Sequence, residues 1–419
     1  MKKKLIHLSF PKKELKGQVR LDGSKSISNR ALIIRALTPD PAPIHYLSTS
    51  DDTRALQHIL GSSGPKYDAG AAGTTFRFLT AYLAAKKVSC ILTGSERMKN
   101  RPVGNLVEAL RYLGADIEYM EKEGYPPLRF NPADLDKNHE LSIATNVSSQ
   151  FVTALLLIAP TLPKGLTLHL EGDMVSRSYI ELTLHVMESF GVTHEWTEDR
   201  IIIKPQEYQS KEFTVEADWS AASYYYGISA LVPQVEFEMK GLGKNTFQGD
   251  GAVSQLYEKF GISTRFSETG IFLTKSEEVR PSAFEHDFIR CPDIAQTLAV
   301  TCGAIGTEGL FSGLQTLSIK ETDRIAALQN ELQKMNVSFT KMPEKFSAQT
   351  KKEYYLVSGK VSFPEKITFP TYEDHRMAMA FAPLAVLHPI QIEEPDVVNK
   401  SYPKFWDDLK NLGFEMEFE

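Results

Sequence analysis

Five segments of the chain share one pattern of apolar and polar positions. In each segment a helical spacing of apolar residues ends at Gly or Asn, and a strict alternation of apolar and polar residues follows. Gly or Asn in that position is typical of a left-handed helix C-cap, and the alternation predicts a strand with one buried face. The five segments are YLGADIEY (112–119), SFGVTHEW (189–196), KFGISTRF (259–266), KMNVSFT (334–340) and NLGFEMEF (411–418).

The predicted cap residues recur at intervals of 70 to 77 residues, which indicates an internal repeat. They are Gly114, Gly191, Gly261, Asn336 and Gly413. A second series of helical segments interleaves with the first and is apolar nearly all round, which favours burial. These segments are ALIIRAL (31–37), FRFLTAYLAA (76–85), FVTALLLIAP (151–160), AASYYYGISALV (221–232), IAQTLAVTCGAIG (294–306) and MAMAFAPLAVL (377–387).

Together the two series predict six units, each with one buried helix, one amphipathic helix and several strands, and therefore an α/β fold. The first unit is shortened. Its amphipathic segment TRALQHIL (53–60) ends at Gly61, and residues 61–69 leave no room for the strands that the other units have there. With 419 residues, the chain is long enough for two domains built from such units.

A short polar cluster precedes each buried helix. N-capping accounts for Ser, Thr and Asp at such positions, because their side chains satisfy free backbone N–H groups. It does not account for the cations there, since positive charge is mildly unfavourable at a helix N-terminus. Helix N-termini bind anions well, so we expect these cations to serve anionic ligands. The clusters lie at 24–26, 73–75, 148–150, 218–220, 293 and 374–376, and the cations are Lys25, Arg30, Arg77 and Arg376.

Composition and charge narrow the class of protein. The formal net charge of −6 gives no general reason to expect nucleic acid or an anionic membrane as a partner. Cys90, Cys291 and Cys302 are far apart and fit no metal-binding spacing, so reduced cytosolic thiols are expected. No segment has the length and apolarity of a transmembrane span, and the basic N-terminus has too short an apolar part for a signal peptide. We therefore expect a cytoplasmic protein that needs no metal or other cofactor.

Ten motifs follow one another along nearly the whole chain: GSKSISNRAL, AGTTFRFLTA, RMKNRPVGNLVEAL, VSSQFVTALLL, GDMVSRSYIELTL, VEADWSAASYY, CPDIAQTLAV, IKETDRIAALQNEL, DHRMAMAFAPLAV and NKSYPKFWDDL. In this order they resemble the 5-enolpyruvylshikimate-3-phosphate synthases, of the enolpyruvyl transferase family. The resemblance implies a two-domain inside-out α/β barrel of six repeated units, three per domain, with helices inside and sheets outside. It implies domains at 1–22 with 217–419 and at 23–216, and an active site in the cleft between them.

The resemblance also implies the reaction. The enolpyruvyl group of phosphoenolpyruvate is transferred to the 5-hydroxyl of shikimate-3-phosphate, and phosphate is released, by addition and elimination through a tetrahedral intermediate. This is a step of the shikimate pathway to chorismate and the aromatic amino acids. Two phosphates and two carboxylates then share a small space, so many cations are required. The only partners expected are these small molecules, without nucleic acid or membrane, and the protein is expected to be a monomer.

By the same resemblance, particular residues are assigned to each substrate. The catalytic candidates are Asp293 as a proton acceptor, Glu321 beside C3 of phosphoenolpyruvate, and Lys25 between the substrates. Which of them moves which proton stays open, because neighbouring groups titrate together. Residues assigned to shikimate-3-phosphate are Lys25, Ser26, Arg30, Ser148, Ser149, Gln150, Ser176, Tyr179, Asp293, Thr316 and Lys320. Residues assigned to phosphoenolpyruvate are Lys25, Gly73, Thr74, Arg77, Arg101, Gln150, Arg324, His375, Arg376 and Lys400.

Several alternatives remain at this stage. Asp293 follows Pro292 and is also a candidate helix N-cap, and His375 is either an acid/base group or a support for Arg376. Ala71, Phe78 and Thr316 depart from the residues that this family often has, which affects the local shape of the phosphoenolpyruvate pocket and one shikimate contact. Sensitivity to glyphosate, which occupies the phosphoenolpyruvate site in this family, is expected because sensitive members have Gly at the position of Gly73.

Two other functions compete with this interpretation. UDP-N-acetylglucosamine enolpyruvyltransferases share the fold and the donor, but they usually carry a reactive Cys in the loop before their arginine, and residues 91–104 contain none. An inactive anion-binding homologue is expected to have lost a charged motif residue, and all of them are present.

Overall fold

The computed structural model of the protein describes residues 4–144, 149–172, 177–275, 277, 279–346, 350 and 352–419. The chain divides into two compact units. One, the terminal unit, consists of Met1–Asp22 and Glu216–Glu419, and the other, the central unit, of Gly23–Val215. The second crossing between the units therefore falls one residue before the position expected from sequence.

The described residues form short strands and helices that alternate along the chain. The strands are β1 Leu5–Ser9, β2 Glu14–Arg20, β3 Ile44–His45, β4 Lys66–Asp68, β5 Cys90–Thr93, β6 Asp116–Tyr119, β7 Leu128–Asn131, β8 Glu140–Ala144, β9 Leu166–Glu171, β10 Glu195–Trp196, β11 Arg200–Ile203, β12 Phe213–Thr214, β13 Gln234–Lys240, β14 Ser263–Phe266, β15 Gly270–Lys275, β16 Ala283–Asp287, β17 Glu308–Ser312, β18 Ser338–Lys341, β19 Tyr355–Ser358, β20 Thr368–Phe369, β21 Ile390–Glu393 and β22 Glu415–Phe418. The α-helices are α1 Lys25–Leu37, α2 Asp51–Leu60, α3 Gly73–Ala85, α4 Glu96–Lys99, α5 Gly104–Leu113, α6 Ser149–Ile158, α7 Arg177–Ser189, α8 Trp219–Leu231, α9 Val253–Leu256, α10 Ala295–Ile305, α11 Arg324–Gln333, α12 His375–Phe381 and α13 Phe405–Leu412.

Five four-stranded sheets share one topology. In each, the first two strands are parallel, the third pairs antiparallel with the second, and the fourth pairs antiparallel with the third. The central unit has β4-β5-β7-β6 and β8-β9-β11-β10, and the terminal unit has β2-β13-β15-β14, β16-β17-β19-β18 and β20-β21-β1-β22. The sixth sheet consists of only β3 and β12, in parallel. The predicted repeat is thereby confirmed, and this small sheet agrees with the shortened first unit.

The helices predicted to be buried form the core of each unit. In the central unit α3 packs on α6, α6 on α7, and α1 on α2 and α7. In the terminal unit α10 packs on α8 and α12. The buried apolar side chains accordingly form one cluster in each unit. Helices inside and sheets outside is the arrangement expected from sequence.

All five predicted C-cap residues have positive φ angles, as a left-handed cap requires. At Gly114 a Cβ would also lie 2.3 Å from the main-chain carbonyl oxygen of Asp134. Gly61, in the shortened unit, differs: it has φ −90°, and its N–H continues the helical bonding to Gln57. The cap prediction is therefore confirmed for the five full units.

Proline and glycine shorten three of the predicted helices. Helix α12 ends before Pro383 and α6 before Pro160, because proline removes an intrahelical hydrogen bond. Helix α9 is a single turn between two 3₁₀ turns, and Gly249 and Gly251 stand just before it. None of the described helices is long and apolar enough to cross a membrane.

One buried lysine closes the end of a core helix. Lys275, the last residue of β15, donates hydrogen bonds to the carbonyl oxygens of Ser229, Ala230 and Val232 at 3.4, 2.6 and 2.8 Å. These carbonyls end α8 and have no further helical turn to bond. A cation at a helix C-terminus satisfies both the orphan carbonyls and the helix dipole.

We therefore predict that Lys275→Met lowers the free energy of unfolding by about 2–4 kcal/mol, since it leaves buried carbonyl groups unsatisfied. Lys16→Met is the control, because Lys16 lies in the same sheet but is half exposed. Urea denaturation of both variants and wild type measures the difference. Equal midpoints for the two variants would contradict the capping role.

Candidate functional site

A buried arginine holds three carboxylates together in the terminal unit. Arg324, the first residue of α11, donates from Nε to Asp374 Oδ2 at 2.7 Å, from Nη1 to Asp293 Oδ1 at 3.0 Å and from Nη2 to Glu321 Oε2 at 2.9 Å. Burial disfavours its charge, but the three carboxylates outweigh this and raise the pKa of Arg324 above its usual value. The side chain is therefore a permanent buried cation.

A second arginine completes the pairing of Asp293. The Nη2 atom of Arg376 lies 3.1 Å from Asp293 Oδ2, and its Nη1 donates to the main-chain oxygen of Asp293 at 3.1 Å. Asp374 caps α12 by accepting from the Arg376 N–H at 2.8 Å, so that it connects both arginines. Helix α10 has Ile294 at its N-cap, and the Asp293 carboxylate serves the arginines instead. The N-cap position of α10 is therefore occupied by Ile294 and not by Asp293.

Two lysines extend the cluster. Lys400 Nζ lies 2.8 Å from Glu321 Oε1, and Lys320 Nζ lies 3.8 Å from Asp293 Oδ1. Each of the two candidate acid/base carboxylates is thus in contact with at least two cations. An anionic ligand that binds here competes with the carboxylates for these cations.

Two other predicted residues lie near this group in sequence. His375 is buried, and its Nδ1 lies 3.7 Å from Asp374 Oδ1. Thr316 lies in the 3₁₀ turn Gln315–Ile319, and its buried hydroxyl has no hydrogen-bond partner among the described residues. A buried hydroxyl is normally hydrogen-bonded, so Thr316 is an exception within the part of the chain that the structure describes.

In the central unit, the serine at the start of α1 does not cap the helix. The Ser24 side chain makes no capping hydrogen bond, although its backbone stands at the N-cap. Lys25, the next residue, forms an ion pair of 3.3 Å with Asp52 of α2, which is buried. The first turn of α1 is thus organised around a cation and its counter-charge.

Arg30 is a buried cation with neutral partners. Its Nε donates to Thr183 Oγ1 at 2.8 Å and its Nη1 to the main-chain oxygen of Ser26 at 2.7 Å. Its Nη2 donates to the main-chain oxygen of Tyr179 at 3.2 Å, and the guanidinium carbon lies 5.6 Å from the centre of the Phe78 ring. Burial lowers the pKa of Arg30 to about 10, which leaves it charged at neutral pH. Phe78, which departs from the residue that the resembled family often has at this position, therefore packs against Arg30.

A third group surrounds the start of α3. Arg77 Nη1 donates to Gln150 Oε1 at 2.7 Å, and Gln150 Nε2 donates to Thr74 Oγ1 at 3.0 Å. A Cβ on Gly73 would lie 2.4 Å from Arg101 Nη1 and 2.9 Å from Arg77 Nη1. Two guanidinium groups therefore lie against the first residue of this helix, whose free N–H groups also attract anions.

The structure thus collects the predicted residues into three groups, two in the central unit and one in the terminal unit. Ser149 begins α6 beside Gln150. Ser148 and Ser176 lie outside the described residues. Sequence reasoning missed Asp52 and gave no role to Asp374. The only signal for either was an acidic residue near a helix start, which usually indicates capping.

Comparison with known proteins identifies the family. The sequence model of EPSP synthase (3-phosphoshikimate 1-carboxyvinyltransferase) matches residues 10–66 and 62–409. The chain belongs to the EPSP synthase family. A relative of this family from Bacteroides fragilis, named 3-phosphoshikimate 1-carboxyvinyltransferase, is 46% identical over 412 residues and covers 97% of each chain. One of the same name from Vibrio vulnificus is 35% identical over 437 residues, 96% of this chain and 98% of its own.

Solved structures share the fold of this EPSP synthase family member. An EPSP synthase from Acinetobacter baumannii matches with a TM-score of 0.79 and 19% identity, over 99% of this chain and 100% of its own. The enolpyruvyl transferase NikO from Streptomyces tendae matches with a TM-score of 0.72 and 13% identity, over 100% and 99%. The family match favours EPSP synthase over UDP-N-acetylglucosamine enolpyruvyltransferase.

Proposed function

We propose that this protein transfers the enolpyruvyl group of phosphoenolpyruvate to the 5-hydroxyl of shikimate-3-phosphate and releases phosphate. The observation that carries the proposal is the cluster around Arg324, in which two carboxylates are each held between cations. Such a cluster can both bind a highly charged anion and supply groups that move protons. We further propose that the enzyme works in the cytoplasm as a monomer and needs no metal or cofactor.

The pairing in the cluster connects ligand binding to proton transfer. Arg376 and Lys400 are paired with Asp293 and Glu321, respectively, at 3.1 and 2.8 Å. When the phosphate and carboxylate of phosphoenolpyruvate bind these cations, the carboxylates lose part of their counter-charge and become better proton acceptors. Asp293 and Glu321 therefore become stronger bases only when phosphoenolpyruvate is bound.

The reaction requires three proton movements near these carboxylates. In the addition step the substrate oxygen bonds to C2 of phosphoenolpyruvate, its hydroxyl proton leaves, and C3 gains a proton. In the elimination step C3 loses a proton and the C2–O bond to phosphate breaks. We assign Asp293 to the hydroxyl proton and Glu321 to C3, with Lys25 as a third group near the reacting atoms.

The remaining predicted residues are proposed to bind and orient the substrates. Neutral hydroxyl and amide groups orient shikimate-3-phosphate without adding charge, and arginines bind carboxylate and phosphate through two parallel hydrogen bonds. For shikimate-3-phosphate these residues are Ser26, Arg30, Ser148, Ser149, Gln150, Ser176, Tyr179, Thr316 and Lys320. For phosphoenolpyruvate they are Gly73, Thr74, Arg77, Arg101, Gln150, Arg324, His375, Arg376 and Lys400.

The test is phosphate release by the purified protein with both substrates, without added metal. We expect release only when both are present. No release at all would favour an inactive anion-binding homologue, and release from phosphoenolpyruvate alone would indicate a different reaction.

Arg101→Ala should weaken the donor site selectively. The guanidinium lies against Gly73 at the start of α3, and its loss should cost on the order of 2–5 kcal/mol of transition-state stabilisation, measured as kcat/KM for phosphoenolpyruvate. Binding of shikimate-3-phosphate alone, measured by calorimetry, should change little. Arg129→Ala, at a half-exposed position of β7, is the control. Equal loss of both affinities in Arg101→Ala would refute the assignment.

Asp293→Asn and Glu321→Gln should each reduce kcat by ~10²-fold or more, because each removes a proton-transfer group and roughly keeps its shape. Asp323→Asn is a matched control: Asp323 caps α11 by accepting from the Ala326 N–H at 3.0 Å, and Asn caps equally well. Its turnover should stay near that of wild type. Near-native turnover in either test variant would exclude that residue from catalysis.

Gly73→Ala should reduce sensitivity to glyphosate. Wild type should be inhibited competitively with phosphoenolpyruvate, and only with shikimate-3-phosphate bound. The added methyl group would displace the two guanidinium groups and narrow the site, so the longer inhibitor should lose ~1–3 kcal/mol more than the substrate, roughly tenfold to a hundredfold.

The control is Gly64→Ala, since a Cβ there meets no atom within 4 Å. Steady-state kinetics measure the ratio of the inhibition constant to the KM for phosphoenolpyruvate. If Gly73→Ala leaves this ratio unchanged, Gly73 does not face the inhibitor.

A further inference from the structure

A buried aspartate with no role in the scheme above lies behind Arg376. Asp250 belongs to the 3₁₀ turn Gly249–Ala252. Ser220, in the first turn of α8, donates its hydroxyl proton to Asp250 Oδ2 in a close hydrogen bond. Arg376 Nη2 in turn donates to Ser220 Oγ at 3.3 Å. A hydrogen-bonded path thus runs from Arg376 through Ser220 to Asp250.

The same nitrogen of Arg376 has a second acceptor. Its Nη2 lies 3.1 Å from Asp293 Oδ2 on the side of the proposed reaction. Arg376 Nη2 therefore contacts the Asp293 carboxylate directly and the Asp250 carboxyl group through the Ser220 hydroxyl. Any change of charge on Asp250 therefore changes how strongly Arg376 is held through Ser220.

We propose that Asp250 is a positioning residue for Arg376, which acts through Ser220 and, by gaining or losing a proton, sets how much of the arginine's charge is available to an anionic ligand. The identity of that ligand as phosphoenolpyruvate rests on the proposed function. The path from Asp250 to Arg376 does not depend on it.

The surroundings of Asp250 allow it to change charge near neutral pH. Helix α8 and its cap bring Asp218 and Ser220, the turn Pro292–Ile294 brings Asp293, and Arg376 completes the charged groups that face it. The thiol of Cys291 is also close enough for its pKa to be raised in part by Asp250, after burial. Helix α9, which packs on the same turn, carries no ionisable side chain.

Burial is the main cause of a raised pKa for Asp250, and repulsion by Asp293 adds to it. Arg376 and the Ser220 hydrogen bond act in the opposite direction, and the resulting pKa is about 7. Both the neutral and the ionised form are therefore present under physiological conditions.

The sign of the coupling follows from the charges. An anion bound to Arg376 adds negative charge near Asp250 and withdraws its counter-charge, so it favours the protonated form. By linkage, protonated Asp250 favours the anion. When phosphoenolpyruvate binds near neutral pH, the protein should therefore take up a proton. Its affinity for phosphoenolpyruvate should fall as the pH rises through the pKa of Asp250.

The first test compares the pH dependence of kcat/KM for phosphoenolpyruvate in wild type and Asp250→Asn. Asn imitates the neutral form, so the two proteins should agree below neutrality. Above about pH 8 wild type should fall on the order of fivefold to tenfold below the variant. Ionisation of the donor phosphate is common to both and cancels in the ratio. An equal fall in both proteins would overturn the proposal.

A second pair of variants separates positioning from a purely structural role. Ser220→Ala removes the hydroxyl that connects Asp250 to Arg376, so the fall in kcat/KM above neutral pH should be smaller than in wild type. Asp250→Glu keeps an ionisable group and should keep the fall. Ser254→Ala is the control, since Ser254 Oγ donates to the nearby carbonyl of Gly251 at 2.9 Å. Its pH profile should match that of wild type. A uniform loss at every pH in Ser220→Ala would indicate a structural role alone and contradict the proposal.

A third measurement needs no substrate. Infrared spectroscopy of wild type should contain a protonated carboxylic acid band that disappears as the pH rises through neutrality and is absent from Asp250→Asn. If the protein releases no phosphate but this band titrates as expected, the proposed function is wrong, whereas the proposed protonation of Asp250 near neutral pH is confirmed. If the band is absent from wild type, the present proposal fails whatever the reaction.

Discussion

The terminal unit depends on keeping one buried side chain charged. A buried guanidinium is costly unless its charge is compensated or its N–H groups are bonded, and removing one partner from a buried ion pair is strongly destabilising. Arg324 meets this condition with three carboxylates that come from separate segments of the chain. Asp374 also caps α12 by accepting from the Arg376 N–H. The carboxylate that neutralises Arg324 therefore also fixes the position of Arg376. Arg324, Asp374 and Arg376, which belong to the candidate site, are therefore also part of the buried interior of this unit.

The central unit solves a similar problem differently. Arg30 is as deeply buried, but its hydrogen-bond partners are hydroxyl and main-chain oxygens, and an aromatic ring packs against it. Neutral partners reduce the cost of burial without cancelling the charge. A cation held in this way attracts an anion without first losing a carboxylate partner, whereas the cations around Arg324 must exchange partners. Arg30 and Arg324 therefore represent two ways of burying a guanidinium, one with neutral partners and one with carboxylates.

Local features of the fold were predictable from sequence, and features that depend on distant pairings were not. Asn336 and the four glycines reveal helix ends because a left-handed cap depends on a single residue and its neighbours. The ends of α6 and α12 were missed by a few residues, although Pro160 and Pro383 were visible. Asp52 and Asp250 escaped notice because their partners stand 27 and 30 residues away. Ser24 illustrates the opposite error, since a good capping residue in sequence makes no capping bond.

The pairing of the first strand with two strands near the other end of the sequence affects the order in which the chain can fold during synthesis. Strand β1 pairs with β21 and β22, so that Ile6 stands opposite Ile392 and Phe418. The first strand must therefore wait for the last residues to leave the ribosome before its sheet can close. The central unit, by contrast, is complete once residue 215 has emerged and has its own apolar core. Since domains fold as units during synthesis, nearly two hundred residues acquire their structure on the nascent chain while an apolar N-terminal strand remains unpaired. Until residues 390–418 have been synthesised, β1 has neither of the strands with which it pairs in the folded protein.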